Sequence, residues 1–543
     1  MKNYIITIFI LSVLSACNTK KQADLIVQNG KVYTVDDQFS VAEAFAVIDG
    51  KIVEVGSSKA ILAAYDAKEI IDAGGKAIFP GFIDAHAHFL RYGQGLQNAN
   101  LVGTKSWQEI LTQLKAFANE NREGWIIGRG WDQNDWAKKE FPDKSELDSL
   151  FPNRPVMLTR IDGHAVIANQ AALNLAKIVA GQKLIGGDIV TKNEKLTGIL
   201  IDNAVDLMTK VIPPLTPNQN KEALLDAAKN CFAVGLTTVD DCGIDFTDVN
   251  FIDSLQKTGD LKMRLYVMLS DAQKNYDFLF KNGKIKTNFL NVRSFKVYGD
   301  GALGSRGACL LSPYHDAPSN SGFLLSNQQH FKEVAKKIAD HDFQMCTHAI
   351  GDSANRTILK IYADALKGKN DKRWRIEHAQ VVNPQDFKLF GDYNIVPSVQ
   401  PTHATSDMYW AKERLGSQRV KSAYAYHQLL KQNGWLPLGT DFPVEDINPI
   451  YTFYASVIRK DLKQFPVGGF QKENALSRQQ AIKGMTIWAA KANFEEKEKG
   501  SLEKGKFADF VILDQDLMTV QENNLSKIKV MQTYIGGKNV YKK

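Results

Sequence analysis

The pattern of apolar and polar residues changes twice along the chain. Both ends alternate apolar and polar positions in short runs that are broken by turn dipeptides such as Asn29-Gly30 and Asp49-Gly50. Alternation with a period of two, interrupted by Asn-Gly or Asp-Gly, is typical of β-hairpins. Residues 24–76 and the end of segment 449–543 share this texture. We therefore expect the two ends to combine into one small composite β-sandwich domain.

The middle of the chain, residues 77–448, alternates apolar strands with amphipathic helical stretches. Residues 331–339 illustrate such a helix, because their apolar side chains recur at helical spacing. Strands that alternate with helices predict a parallel sheet, and eight of them predict an α/β fold of the (β/α)8 or TIM-barrel type. The eight candidate strands are 77–88, 236–241, 263–269, 292–298, 344–348, 375–378, 395–400 and 436–441.

A long insert interrupts the predicted barrel. About residues 89–230 separate the first two strands, which is far more than one helical crossover needs. The insert carries the sequences GRGWDQNDW at 128–136 and TRIDGHA at 159–165. We expect it to form a lid or subdomain over the barrel mouth. Residues 449–543 are expected to hold terminal helices and the second part of the sandwich.

The first residues predict export. An apolar run at 4–14, preceded by Lys2, is too short to span a membrane but fits the core of a signal peptide. It ends in LSAC at 14–17, which resembles a bacterial lipobox. The resemblance implies a lipoprotein signal peptide at 1–16, lipidation of Cys17 and a polar tether at 17–23. The protein would then be a membrane-anchored lipoprotein of the bacterial cell envelope, in the periplasm or at the outer membrane. An ordinary signal peptide with a chance cysteine is the alternative.

Composition and charge narrow the function classes. The 543 residues are 44% hydrophobic and 23% charged, which is ordinary for a globular protein with a large core. The formal charge of +7 is small for this length, and no Lys/Arg cluster with interleaved aromatic residues stands out. Nucleic acid is therefore not an expected partner. The cysteines after Cys17 have no spacing typical of a disulfide framework or a zinc knuckle.

The candidate chemistry lies at the ends of the predicted strands. His86 and His88 close the first strand, and residues two apart on a strand point to the same face. An isolated His-x-His pair is a weak signal, and any one of these polar residues alone fits a hydrogen-bonded position at a strand end. Barrel active sites lie at the carboxyl ends of the strands, and imidazoles with a carboxylate suit zinc or a similar divalent ion. The strand-end residues are His86, His88, Lys296, His348, His378 and Asp441.

These strand ends belong to longer motifs. They are PGFIDAHAH at 80–88, KVYGDGALGSRGA at 296–308, THAIGD at 347–352, EHA at 377–379 and GTDFP at 439–443. From about residue 24 onward the chain resembles the amidohydrolase superfamily, in particular its family 3 branch related to N-substituted formamide deformylase. The resemblance implies that His86, His88 and Asp441 bind one metal and that His348 and His378 bind a second.

The resemblance also implies a role for Lys296, as a carbamate that bridges two metal ions, with zinc as the expected metal. A site of low dielectric favours the neutral amine that combines with CO2. The alternative is an uncarboxylated Lys296 that pairs with Asp300 over a single metal.

The expected reaction is hydrolysis of a non-peptide C–N bond, in an amide or formamide, by metal-activated hydroxide. Asp441 would serve as the proton shuttle. A deaminase of the same superfamily ranks second. Deaminases of this kind resemble one-metal enzymes that lack a bridging lysine, whereas Lys296 is present here. A lactonase or dipeptidase-like hydrolase also fits. The other functional class is a lipoprotein that binds a ligand through a catalytically dead barrel, although all six strand-end residues are present.

Substrate contacts are less constrained by the sequence. His164, Arg306 and His403 are candidates for hydrogen bonds to the developing oxyanion or to substrate polar groups, and a structural role fits each equally well. Aromatic side chains belong more often to the core, but three that could line an apolar pocket are Trp131, Trp136 and Tyr298. The expected partner is a small-molecule amide. The sequence leaves the oligomeric state open, with a homodimer as one option.

Overall fold

The computed structural model describes residues 20–120 and 123–543. The expected signal peptide and the lipidation site Cys17 lie outside these ranges. Among the helices within them, none is long and apolar enough to cross a membrane.

The amino-terminal region is built from short strands. The first strand begins at Lys21, within the expected tether, because its parallel pairing with the sixth strand extends to Lys21 opposite Tyr65. One sheet has the order β5-β4-β1-β6. The elements are β1 (Lys21–Gln28), β2 (Lys31–Tyr33), β3 (Val41–Ala42), β4 (Ala44–Ile48), β5 (Lys51–Gly56), α1 (Ser58–Ala64), β6 (Tyr65–Asp72) and β7 (Ala77–Pro80).

The first barrel strand, β8 (Phe82–Ala87), is shorter than the strand expected at 77–88. Gly81 divides that segment, so β7 pairs with β2 instead of joining the barrel. A Cβ at Gly81 would lie 2.3 Å from the Thr237 hydroxyl, and its backbone N–H bonds to the Asp509 carbonyl over 2.9 Å. Only glycine fits at this close approach. Gly81 is the point at which the chain crosses from the terminal sheet into the barrel.

The insert forms its own sheet after α2 (Phe89–Gly95). Six strands lie in the order β13-β14-β12-β11-β10-β9 and enclose two apolar clusters. The elements are β9 (Ala99–Asn100), α3 (Trp107–Glu120), β10 (Ile126–Trp131), α4 (Ser145–Leu150), β11 (Val156–Arg160), β12 (Ala165–Ala168), α5 (Gln170–Leu175), β13 (Gly187–Lys192), β14 (Lys195–Asp202) and α6 (Val205–Thr209).

The barrel continues with α7 (Pro217–Ala233), which begins with a capping box between Thr216 and Gln219. The next elements are β15 (Leu236–Ile244), α8 (Phe246–Lys257), β16 (Arg264–Ser270), α9 (Gln273–Asn282), β17 (Ile285–Lys286), β18 (Leu290–Tyr298), α10 (Gln328–Asp340), β19 (Gln344–Ala349), α11 (Asp352–Leu366), β20 (Arg375–His378), α12 (Phe387–Asp392) and β21 (Val396–Ser398).

Seven parallel strands make the barrel sheet, in the order β21-β20-β19-β18-β16-β15-β8. The buried side chains of α10 are Phe331, Val334, Ala335 and Ile338, which is the helical spacing expected for residues 331–339. The fold is thus mixed α/β with a nearly closed parallel barrel, consistent with a TIM-like architecture.

The expected eighth strand, 436–441, is not a regular strand. Its contacts with β21 include one isolated parallel bridge, Val399 with Leu438. The segment nevertheless lies between the two edges of the barrel, because Gly439 N–H bonds to Val399 O and Asp441 N–H bonds to His86 O. Leu438 N–H instead bonds to Gly484 O, which interrupts the ladder and leaves the barrel nearly closed.

The carboxyl-terminal part holds helices followed by strands, with one short helix between the first two of these strands. A six-stranded sheet has the order β24-β23-β22-β7-β2-β3, so strands from both ends of the chain share it. The composite sandwich as a separate domain stays a prediction. The remaining elements are α13 (Pro401–Asp407), α14 (Ala411–Arg419), α15 (Tyr426–Asn433), α16 (Pro449–Ile458), α17 (Arg478–Gly484), α18 (Ile487–Ala492), β22 (Phe510–Leu513), α19 (Glu522–Leu525), β23 (Val530–Ile535) and β24 (Lys538–Lys542).

Candidate active site

Strand β8 delivers two histidines whose ring orientation is fixed by hydrogen bonds. His86 Nδ1 lies 2.5 Å from a Glu377 carboxylate oxygen, and His88 Nδ1 lies 2.9 Å from the Cys242 carbonyl oxygen. A carbonyl can only accept, so Nδ1 of His88 carries the proton, and the carboxylate favours the same tautomer for His86. Both Nε2 atoms then present a lone pair, and these two atoms lie 3.5 and 3.3 Å from Asp441 Oδ1.

Asp441 is a buried, ionised carboxylate. Burial raises the pKa of Asp441, but the surrounding imidazoles, of which His88 contributes most, lower it by more, and the net direction is well below the usual value. Its backbone has a φ of 65°, in the left-handed region. Asp441 therefore supplies the negative charge beside the two β8 imidazoles.

A second set of histidines lies on the other side of Asp441. The His348 and His378 rings are 4.6 Å apart, and the His378 and His403 rings are 5.7 Å apart. His403 Nε2 lies 3.5 Å from Asp441 Oδ2. His403, expected among the substrate contacts, thus reaches the same carboxylate as the β8 pair.

The donor atoms fit a divalent metal. Ligand atoms lie within 4.8 Å of one another in the group His86, His88 and Asp441, and also in the group His378, His403 and Asp441. Buried polar atoms need partners, and imidazole with carboxylate is a typical ligand set for zinc. The buried atoms that find no hydrogen-bond partner among the described residues include Nε2 of His348, Nδ1 of His378, Nε2 of His403 and Oδ1 of Asp441.

Lys296 reaches the same centre from β18. Its Nζ lies 3.2 Å from His86 Nε2 and 4.9 Å from the centre of the Tyr298 ring. Asp300, the alternative partner, is occupied elsewhere: its carboxylate accepts the backbone N–H groups of Cys309, Ile350 and Gly351. Lys296 therefore points to the candidate metal ligands rather than to Asp300.

The charge state of Lys296 differs from the expectation based on burial. Burial lowers the pKa of its ammonium, but Cys242 and Tyr298, and after them Glu377 and Asp441, raise the pKa by more. The net direction is upward, so the metal-free site favours the ammonium over the neutral amine. The carbamate stays a prediction.

The ligand groups open into a cavity of about 670 Å³ between the barrel and the insert. His164 and Tyr298 line it, together with His403. His164 bonds through Nδ1 to Asp202 over 2.6 Å, and its ring lies 5.1 Å from that of His348. Burial lowers the pKa of His164, but Asp202 raises it by more, and the net direction is upward.

Three of the candidate substrate contacts lie elsewhere. Trp131 is fully buried in the insert, where its Nε1 donates to the Leu158 carbonyl over 2.8 Å. Trp136 packs beside it, with ring centres 6.2 Å apart. Arg306 pairs with Asp316 over 3.0 Å outside the cavity lining. The aromatic-rich stretch of the insert is therefore mainly its own core.

Sequence reasoning missed Glu377 as a member of the site. It stands beside His378, but the strand alternation turns it into the barrel interior with Arg375, and its Oε1 lies 2.6 Å from Arg375 Nε. Arg375 also pairs with Asp240 over 2.9 Å. A signal was present in the sequence, since two charged residues alternate along an apolar barrel strand.

Comparisons with known proteins assign the chain to a family. The profile of the amidohydrolase family matches residues 69–541. The chain is 33% identical to Protein LONG AFTER FAR-RED 3 of Arabidopsis thaliana, over 96% of this chain and 92% of that protein. It is 24% identical to N-substituted formamide deformylase of Arthrobacter pascens, over 95% and 97%.

Among solved structures, an uncharacterized metal-dependent hydrolase from Pyrococcus horikoshii superposes with a TM-score of 0.75 at 27% identity. The match covers 92% of this chain and 99% of that one. The expected resemblance is therefore confirmed at the level of the family and of a metal-dependent hydrolase fold. This chain belongs to the amidohydrolase family.

Proposed function

We propose that the protein is a metal-dependent hydrolase that cleaves a non-peptide C–N bond, in an amide or formamide. The observation that carries the proposal is the convergence of unpartnered imidazole nitrogens on one ionised carboxylate, within a single cavity. Family membership supports hydrolysis as the reaction class. The cavity volume suits a small molecule.

The ligands of two divalent ions, with zinc proposed as the metal, can be assigned from these residues. His86, His88 and Asp441 would hold one ion, and His348 and His378 the second, with Lys296 bridging as a carbamate. His403 offers the second ion a further donor beside His378 and Asp441. When bound, such ions supply Lewis acidity that activates water and polarises a carbonyl group.

The protein's own groups would move the protons. Asp441 is ionised, so it can accept a proton from the attacking water and return it to the leaving nitrogen. The buried Tyr298 hydroxyl has no hydrogen-bond partner within the described chain, and it lines the cavity. It is placed to donate a hydrogen bond to the substrate oxygen. The products would be a carboxylic acid and an amine.

The proposal is tested by incubating the protein with N-acyl and N-formyl amines and measuring the released amine by chromatography. The Asp441→Asn variant keeps the shape of the side chain but cannot hold the proton, so its rate should fall by about 100-fold or more. Asp364→Asn, on the exposed face of α11, is the matched control and should retain the wild-type rate. Undiminished turnover by Asp441→Asn would refute the shuttle. Ammonia release from an aminated ring, with no amide cleaved, would favour a deaminase.

We also propose that the chain is exported and anchored through acyl chains on Cys17. The support is the sequence of the first residues. The wild-type chain should incorporate labelled palmitate in a bacterial host and fractionate with membranes, whereas Cys17→Ser should not. Equal labelling of both chains would contradict the anchor.

A further inference from the structure

Arg129 is a cavity side chain with unused hydrogen-bond donors. It lines the cavity from β10 and donates one bond, from Nη2 to the Ile161 carbonyl over 2.8 Å. Its Nε is buried and has no partner among the described residues. Within that part of the chain, no carboxylate oxygen lies within 4.0 Å of the guanidinium. Burial lowers the pKa of Arg129 to about 10, so it is still charged at neutral pH.

A neighbouring arginine shows the contrast. Arg160 lies on the adjacent strand β11 and uses all three guanidinium nitrogens, on Gln133, Asp162 and Asp132. It is 2% exposed and belongs to the framework of the insert. Arg160 therefore has its counter-charges within the protein, whereas Arg129 does not.

The backbone around Arg129 directs it to the cavity. The β10–β11 register shifts between Arg129 and Trp131, at Gly130, whose φ is 112°. A Cβ there would lie 2.8 Å from the Val102 nitrogen, so the irregularity requires glycine. Bulges of this kind re-aim the side chain beside them and are frequent next to active sites.

Arg129 also lies beside the loop that carries His164. Its Nη1 is 3.4 Å from the position that a Cβ on Gly163 would occupy, directly before His164. His164 in turn contacts His348. Two carboxylates raise the pKa of Arg129 from a distance, Asp162 and Asp441. Both already have partners, because Asp162 pairs with Arg160 and Asp441 lies against histidines.

We propose that Arg129 binds a carboxylate of the substrate and so selects amides that carry one. Arg129 is partly buried, and desolvation of a guanidinium without a counter-charge costs free energy. Its planar fork matches the two oxygens of a carboxylate. The proposal rests on the proposed function, because it names the substrate class of the same site. Two carboxylates that also line the cavity have hydrogen-bond donors within the protein: Asp407 accepts from Tyr424, and Glu445 accepts from Ser406. Because these groups could instead attract a positively charged substrate, a preference for a cation is the competing outcome of the test.

Three probes of similar size and different charge separate these outcomes. They are N-acetylglycine, which is anionic, N-acetylglycinamide, which is neutral, and N-acetylethylenediamine, which is cationic. Each is titrated calorimetrically into the zinc-loaded full-length protein, and released product is measured in the same samples. The wild type should bind the anion about tenfold or more tightly than the neutral probe, as expected for a charge-assisted pair.

Variants assign the preference to Arg129. Arg129→Gln should lose the preference for the anion while its affinity for the neutral probe is unchanged, and Arg129→Lys should restore part of it. Lys138→Gln removes an exposed charge of the same insert, 81% exposed, and should behave as wild type. Zinc content and the unfolding temperature of each variant show that the site and the fold are intact.

The outcomes separate this proposal from the proposed function. Equal binding of anion and neutral probe, a preference for the cation, or an anion preference that survives Arg129→Gln would each overturn the role of Arg129. Product from the neutral probe without any anion preference would leave the hydrolase standing and remove Arg129 from it. An Arg129-dependent anion preference without product from any amide would support the binding role of Arg129 and contradict the hydrolase.

Discussion

At the scale of single residues, the candidate site depends on side chains that orient one another across different strands. Glu377 on β20 fixes the tautomer of His86 on β8, and the Cys242 carbonyl on β15 does the same for His88. The ring nitrogens that face Asp441 are therefore set before any metal arrives. This preorganisation is a property of the protein that can be measured without turnover.

Glu377→Gln tests that preorganisation. An amide oxygen is a weaker acceptor than a carboxylate and an amide can also flip to present its NH2 group, so His86 loses both basicity and a defined orientation. We expect affinity for zinc to fall by about 10- to 100-fold, measured by competition with a chromophoric chelator.

The control for this variant is Glu333→Gln, an exposed glutamate on α10. It removes the same charge from the barrel's outer layer and should leave zinc affinity unchanged. Wild-type affinity in Glu377→Gln would show that His86 is oriented by the strand alone.

The sequence located the strand-end histidines because each one closes an apolar run. It did not locate Glu377 or Arg129, because a charged residue inside a strand reveals its role only when the facing side chains are known. The sequence leaves Trp131 open between a pocket and the core, since the pattern GRGWDQNDW does not say which face of β10 is inside, and the structure buries it.

At the scale of elements, the segment 436–441 closes the barrel by individual bonds rather than by a regular ladder. Gly439 is central to it, because a Cβ there would lie 2.6 Å from the His86 nitrogen. The same close approach places Asp441 beside β8, where Asp441 N–H bonds to His86 O over 2.7 Å.

Gly439→Ala should therefore destabilise the protein and weaken the metal site together. We expect a loss of about 1–3 kcal/mol in the free energy of unfolding, as for other overpacked positions, measured by urea denaturation. Gly56→Ala on β5 is the matched control, because a Cβ at Gly56 would meet no atom within 4 Å. Equal stability of the two variants would contradict this account of the barrel closure.

Seven of the eight strands predicted from the sequence lie in the barrel sheet, with helices between several of them. The predicted first strand is too long and the predicted last one is not a regular strand, because an apolar run does not show where a close backbone contact interrupts pairing. Gly81 and Gly439 are such contacts, and each depends on a residue far away in the sequence, Thr237 and His86.

At the scale of the whole molecule, the terminal sheet is joined to the barrel by a buried ion pair. Arg264 on β16 binds Asp509, just before β22, through two bonds of 2.7 and 2.9 Å. The side chains are 3% and 5% exposed. Gly536 N–H also donates to Asp509, which links the last hairpin to the same point.

Asp509→Ala should leave the Arg264 guanidinium buried without its partner. We expect the free energy of unfolding to fall by about 3–5 kcal/mol, measured by urea denaturation. Glu140→Ala removes an exposed partner of the exposed Lys138 and should change stability little. A small effect of Asp509→Ala would indicate that the terminal sheet and the barrel unfold independently.

The common texture of the two chain ends predicted that they would meet, and β7, β2 and β22 do share a sheet. The shape of the insert could not be predicted, because its sheet mixes parallel and antiparallel pairs and because β14 lies between β12 and β13. The insert nevertheless supplies Arg129 and His164 to the cavity, so the least predictable part of the fold bears on specificity.

We propose above all that the strand-end residues hold divalent metal. The test is metal content per chain, by elemental analysis of the full-length protein prepared without chelators and with zinc and bicarbonate. We expect about two zinc ions per chain. One ion per chain would contradict the Lys296 bridge, and a chain that stays empty after addition of zinc would show that these residues do not form a metal site.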